Sequence, residues 1–132
     1  MAFLEMRIGT WRYSPSAYWP RLLLTDEVFR DSDIYVASYS SPRFGNRMNL
    51  DEVVSNLNNR LVNDEVFSKY REVVFVCHSL GGLIVQRLLL TFRSYAQQVP
   101  FIYFFSTPET GAQITKLASV FSSAPCGLPF VL

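Results

Sequence analysis

Apolar residues fall along this chain in two rhythms. Leu50, Val53, Val54, Leu57, Leu61, Val62 and Val66 recur at spacings of three and four, which predicts a helix over 50–68 with one apolar stripe. Asn49 stands before it with Glu52 three residues on, the arrangement of a capping box. "EVVFVC" (72–77) runs apolar without alternation, as a strand covered on both faces does. "PFIYFFS" (100–106) reads the same way, and a mostly apolar helix is expected between them over 80–95. "DIYVASY" (33–39), rich in β-branched and aromatic residues, predicts a further strand, closed by the loop "SSPRFGN". Residues 16–24 read as a helix with Pro20 near its first turn, and 112–121 as a short helix. Met1 to Ile8 reads as a strand or as a frayed end, and 122–132 as an irregular tail.

Strands alternating with helices at these spacings imply parallel pairing through right-handed crossovers. The expected architecture is a single α/β domain over 1–132, a parallel sheet with helices on both faces. In such sheets the chemistry lies beyond the carboxyl ends of the strands. Ser79 falls there after one strand, and Ser106, Thr107 and Glu109 after the next.

Composition narrows the field. With 49% apolar residues, eleven Phe and seven Tyr, the 132-residue chain can bury one real core. A net charge of +1 recommends neither nucleic acid nor an anionic membrane as partner. Ten of the eleven acidic residues precede residue 73, so the second half is nearly uncharged, as a fold interior is. Two cysteines, Cys77 and Cys126, make no disulfide framework, and with one histidine no His/Cys metal site can be assembled. No cofactor is expected. The apolar runs are far shorter than the ~20 residues of a membrane span, and the first residues carry no leader pattern, so a cytoplasmic or other intracellular soluble protein is expected.

The stretch with chemical content is "VVFVCHSLGG", residues 73–82. A serine hydroxyl must be presented to a base without crowding, which a sharp strand-to-helix turn achieves at the expense of backbone strain. Such an elbow needs small residues two before and two after the serine, and Cys77 and Gly81 stand there. Gly82 lets the new helix press close to the sheet, while His78 completes the turn. The helix N-terminus would aim the Leu80 N–H at a developing oxyanion. The plainer alternative is that His78 and Ser79 only cap the helix, since serine is a favoured N-cap.

"VCHSLGGLIVQRLL" resembles the nucleophile elbow of the α/β-hydrolase family, closest to its lipase-like serine esterase branch, whose elbow reads small-His-Ser-Leu/Met-Gly-Gly. "GTWRYSPSAYWPRLL" resembles that branch's Thr-Trp segment, and "FIYFFSTPETG" its strand ending in Thr-Pro-His-x-Gly. The resemblance spans roughly residues 9 to 115. It implies a partial α/β-hydrolase fold, Ser79 as nucleophile, Leu80 as one oxyanion donor, and an ester or lipid substrate. It also implies a further strand between those at 33–39 and 72–77.

Departures from the family pattern shape the expectation as much as the matches. Cys77 replaces the elbow's usual first glycine, and Glu109 stands where the Thr-Pro-His pattern has histidine. No histidine or aspartate follows Ser79, and no His-Gly loop precedes Gly9. His78 is expected to point away from the serine in a packing role, and Glu109 to be a loop residue. The chain therefore reads as a hydrolase domain trimmed at both ends, weakly active or inactive by itself. Self-association through unpaired sheet edges follows from the trimming. The alternative is a non-catalytic α/β-hydrolase-like binding or regulatory module. A nucleotide-binding domain has no support, because there is no GxGxxG after a strand and "SLGG" lacks a following Gly-Lys-Ser/Thr.

Overall fold

The structure, a computed structural model, describes residues 2–5, 10–39 and 49–107. Among the described residues four strands form one parallel sheet: β1 (Ala2–Glu5), β2 (Tyr35–Ser38), β3 (Phe75–His78) and β4 (Ile102–Phe105), in the order β2-β1-β3-β4. β1 pairs with both β2 and β3, with Leu4 opposite Ala37 on one side and Cys77 on the other. The amino-terminal residues thus form an internal strand, and the segment that read as strand or frayed end occupies the slot between 33–39 and 72–77. β3 and β4 pair from Phe75–Ile102 to His78–Phe105.

Among the described residues the α-helices are α1 (Trp19–Leu23), α2 (Leu50–Asn63), α3 (Val66–Lys69) and α4 (Leu80–Thr91), and a short 3₁₀ helix covers Glu27–Phe29. α2 begins as expected, with the Asn49 side chain accepting from the Asp51 and Glu52 N–H groups. The single helix predicted over 50–68 is instead broken at Glu65, whose φ of 56° lies in the left-handed region. Val66 nevertheless stays buried beyond the break, so the apolar stripe continued in sequence while the helix did not. Val62, counted in that stripe, faces solvent. The helix expected over 80–95 ends at Thr91, and a 3₁₀ helix over Arg93–Gln98 follows.

The core lies on one face of the sheet. Ala37, Phe75 and Cys77 meet Val54, Leu57 and Leu61 of α2 and Ile84, Val85 and Leu88 of α4 in one buried cluster. Strand alternation turns Val76 and His78 to the opposite face. There Trp11 lies against His78 and Phe105, and Trp19 of α1 against Phe105. On this second face the five-residue α1 packs through Trp19 against Phe105.

The reading of 100–106 as buried on both faces is corrected. Tyr103, Phe104 and Phe105 are 53%, 45% and 41% exposed, and among the described residues no strand pairs with the outer edge of β4. An apolar run states what a strand could bury and not what is set against it. Among the described residues no helix is long and apolar enough to cross a membrane. The region expected as a helix over 112–121 and the tail over 122–132 lie outside the described residues.

The packing of α4 gives a direct comparison. Leu88 is fully buried, whereas Leu90, two residues on, is 64% exposed. Leu88→Ala is expected to destabilise by about 2–5 kcal/mol through cavity formation, and Leu90→Ala by no more than about 0.5 kcal/mol. Urea unfolding at matched protein concentration measures both, and equal losses would contradict the helix orientation described above.

Candidate functional site

β3 and β4 both leave the sheet through a serine in an unusual backbone conformation. Ser79 has φ 54° and ψ −125°, and Ser106 has φ 52°. L-residues with side chains visit such regions at a cost of roughly 1–3 kcal/mol each, and persist there only where the surroundings insist. For Ser79 the surroundings can be named. Its N–H donates to the Phe105 carbonyl at 2.8 Å, extending the β3–β4 ladder one residue past the strand. Its own carbonyl accepts from the Gly82 N–H at 3.2 Å. Both peptide groups of the turn are therefore held, one by the sheet and one by the new helix.

Gly82 is required here by space. A Cβ at that position would fall on the Thr107 side chain and 2.8 Å from the Phe104 ring. The first turn of α4 is thus pressed against the end of β4, closer than any residue with a side chain allows. Cys77 and Gly81 are buried beside it.

Ser79 occupies the N-cap position of α4, yet its side chain makes no capping hydrogen bond. An N-cap that caps has β-region dihedrals, which direct its oxygen at the N–H of the second or third helical residue. The dihedrals of Ser79 forbid that, so the plain capping role is not realised. Leu80 and Gly81, as first-turn residues, have no intrahelical acceptor for their N–H groups.

Three polar atoms are buried at this edge without a hydrogen-bond partner: Ser79 Oγ, Thr107 Oγ1 and His78 Nδ1. Ser79 as a whole is only 4% exposed. His78 sits on the sheet face away from the α2–α4 core, its ring edge-on to Trp11 with centroids 6.0 Å apart. Burial holds its pKa below the ordinary histidine value, so the ring is neutral at neutral pH. Burial also pushes the Cys77 thiol up to about 12, which keeps it protonated and inert. The Tyr39 hydroxyl, buried without a partner, is raised as well, first by burial and then by the nearby Cys77.

The fold therefore brings Ser79, Leu80, Gly81, Gly82 and Thr107 together at the carboxyl edge. Ser106 stands at the same edge but is exposed, and Glu109 lies outside the described residues. Sequence reasoning passed over Glu5. It closes β1 opposite Ser38, one step beyond the Leu4–Cys77 pair, so the backbone carries an acidic residue to the edge where β3 ends. Only recognising Ala2–Glu5 as an internal strand would have revealed it. Among the described residues no group of His, Cys, Asp and Glu is arranged to hold a metal ion. A cleft lined by Asp33, Tyr35, Asp64, Lys69 and Tyr70 opens at the opposite, amino edge of the sheet. There the hydroxyls of Tyr35 and Tyr70 donate to Asp64 and Asp33, each at 2.6 Å.

The chain matches no protein-family model, no curated protein and no solved structure.

Backbone strain at Ser79 has a measurable signature. Glycine adopts its dihedrals without steric cost, whereas alanine inherits the strain. Ser79→Gly is therefore expected to be more stable than Ser79→Ala by roughly 1–2 kcal/mol, reversing the usual penalty for glycine. Equal urea midpoints for the two variants would remove the case for strain.

Proposed function

We propose that this chain is a partial α/β-hydrolase-like domain of the serine esterase or lipase-like type, with Ser79 as its nucleophile and the Leu80 N–H as one oxyanion donor. The observation that carries the reading is the strained, non-capping Ser79 between an internal parallel strand and an apolar helix. A serine that served as a helix cap would have extended dihedrals and its oxygen on a first-turn N–H instead. The substrate class under this reading is a carboxylic ester or lipid, and no cofactor takes part.

The chemistry also needs a proton acceptor for the serine and a proton donor for the leaving group. His78 adjoins Ser79 in sequence, but strand alternation turns it toward the Trp11 cluster. Lack of a base costs on the order of a millionfold in turnover, about 8 kcal/mol of barrier. A half-formed oxyanion hole costs roughly another hundredfold. The buried, unpartnered Ser79 hydroxyl favours a second reading, in which the domain keeps the elbow but acts as a non-catalytic binding or regulatory module.

Hydrolysis of short p-nitrophenyl esters by the 132-residue chain is expected to be no faster than by Ser79→Ala. Fluorophosphonate modification, read by intact mass, is expected to be slow and confined to Ser79. Robust turnover lost in Ser79→Ala but kept in His78→Ala would identify a base elsewhere, Glu109 being one candidate. Turnover lost in both would assign the base to His78. Complete absence of a Ser79 adduct would leave the binding-module reading in place of the nucleophile.

Self-association belongs to the same proposal. The outer edge of β4 has no partner strand among the described residues, and Phe101 is exposed beside Tyr103, Phe104 and Phe105. Unpaired ladder groups flanked by aromatic side chains invite pairing with another edge. Size-exclusion chromatography with light scattering is expected to show oligomers, reduced by Tyr103→Lys. A monomer at all concentrations, with a sharp cooperative melt, would contradict this.

A further inference from the structure

The residue at this edge that the nucleophile reading leaves unused is Thr107. It follows the strained Ser106, so the chain is turned at the end of β4 in a manner that costs energy. The turn lays the Thr107 side chain against Gly82, in the first turn of α4, so closely that no Cβ could be accommodated there. Its hydroxyl is nonetheless buried and unpartnered, as is that of Ser79, which is itself 4% exposed. A methyl-bearing side chain without a hydroxyl, valine, would fill the same space without leaving a buried donor unpaired. Burying a hydroxyl with nothing to bond costs about 1–3 kcal/mol. Two such hydroxyls, one at the N-cap of α4 and one against Gly82 in its first turn, lack an acceptor, and the Leu80 and Gly81 N–H groups have none within the helix. The twelve-residue α4 adds the positive end of its dipole.

We propose that Thr107 is a ligand-binding residue, donating its hydroxyl to a small oxyanion of the carboxylate class held at the N-terminus of α4. The ligand's oxygens would accept from Thr107 Oγ1 and from the first-turn amides, which satisfies the donors that the protein leaves open. No acidic residue lies between Glu72 and Glu109, although Glu5 closes β1 at the same edge. This inference rests on the reading of the α4 N-terminus as the reacting edge. Under that reading the carboxylate is the acid product of ester cleavage, yet its binding needs no nucleophile.

Two variants separate the hydroxyl from its packing. Thr107→Val keeps the shape and removes the donor, while Thr107→Ser keeps the donor and removes the methyl group packed on Gly82. Sodium butyrate, titrated against sodium chloride at constant ionic strength, serves as probe, with thermal unfolding and calorimetry as readouts. Saturable binding is expected for the natural chain and, within about threefold, for Thr107→Ser. Thr107→Val is expected to bind roughly tenfold or more weakly, the fold-change of one hydrogen bond to a charged group. Should Thr107→Val fail to fold, Thr107→Cys, a far weaker donor of similar size, carries the same expectation. A shift that does not saturate, or binding by Thr107→Val equal to that of the natural chain, would overturn the proposal. So would loss in Thr107→Ser alone, which would make the residue a packing element. Ester turnover and Ser79 labelling do not enter these outcomes, so failure here and failure of the nucleophile are separate results.

Discussion

Burial of Phe75, Val76 and Cys77 in β3 is the constraint that the rest of the fold answers to. Phe75 and Cys77 are wholly shielded from solvent on the face covered by α2 and α4, and Val76 is nearly so on the other. A buried strand must find partners for its N–H and C=O groups on both edges, because an unpaired buried peptide group costs as much as a lost hydrogen bond. β1 supplies one edge and β4 the other. The four residues of β1 therefore hold the two halves of the sheet together, since β2 touches the sheet only through them.

The turn after β3 shows how far that constraint overrides local preference. A serine at an N-cap gains about 1 kcal/mol by accepting a first-turn N–H in an extended conformation. Ser79 forgoes this and takes on strain of comparable or larger size. What outweighs both is the environment. The ladder bond to the Phe105 carbonyl holds the residue on one side, and the apolar face of α4 must land on Phe75 and Cys77 on the other. Burying Ile84, Val85 and Leu88 together is worth several kcal/mol, at about 1.5–3 kcal/mol per side chain. The serine hydroxyl is left without a bond as a result of where the helix has to lie.

The side chains that lead into Ser79 along β3 are uncharged. Burial lowers the His78 pKa and raises that of the Cys77 thiol, so both are neutral, and the ionisable groups that form pairs lie elsewhere. Arg87 meets Asp51 on the outer surface of the two helices at 2.8 Å, and Lys69 meets Glu65 at 2.9 Å, both well exposed. Donors without acceptors in an apolar setting bind an oxyanion more strongly than they would in water, since the effective dielectric constant is lower. The same setting makes a buried serine hydroxyl inert unless a base is brought to it.

Much of this was legible in the one-dimensional pattern, for a physical reason: periodicity and capping are local. The stripe from Leu50 to Leu61, the Asn49 cap, the apolar β3 run and the start of α4 at Leu80 depend on residues within a few positions of one another. The requirement for small residues around Ser79 is local too. Other features depend on what is opposite. Whether Ala2–Glu5 formed a strand, and so whether Glu5 reached the edge of β3, was decided by a slot between strands far away in sequence. The exposure of β4, the break at Glu65 within a continuous apolar stripe, and the contact of Thr107 with Gly82 were likewise outside the reach of pattern. The sequence by itself determined which segments could be strand or helix and which faces were apolar, because backbone sterics and side-chain spacing act at short range. Only the tertiary structure decided the strand order, the neighbours of each face and the contacts that hold Ser79 in its strained conformation, because those follow from segments that the chain brings together only when it folds.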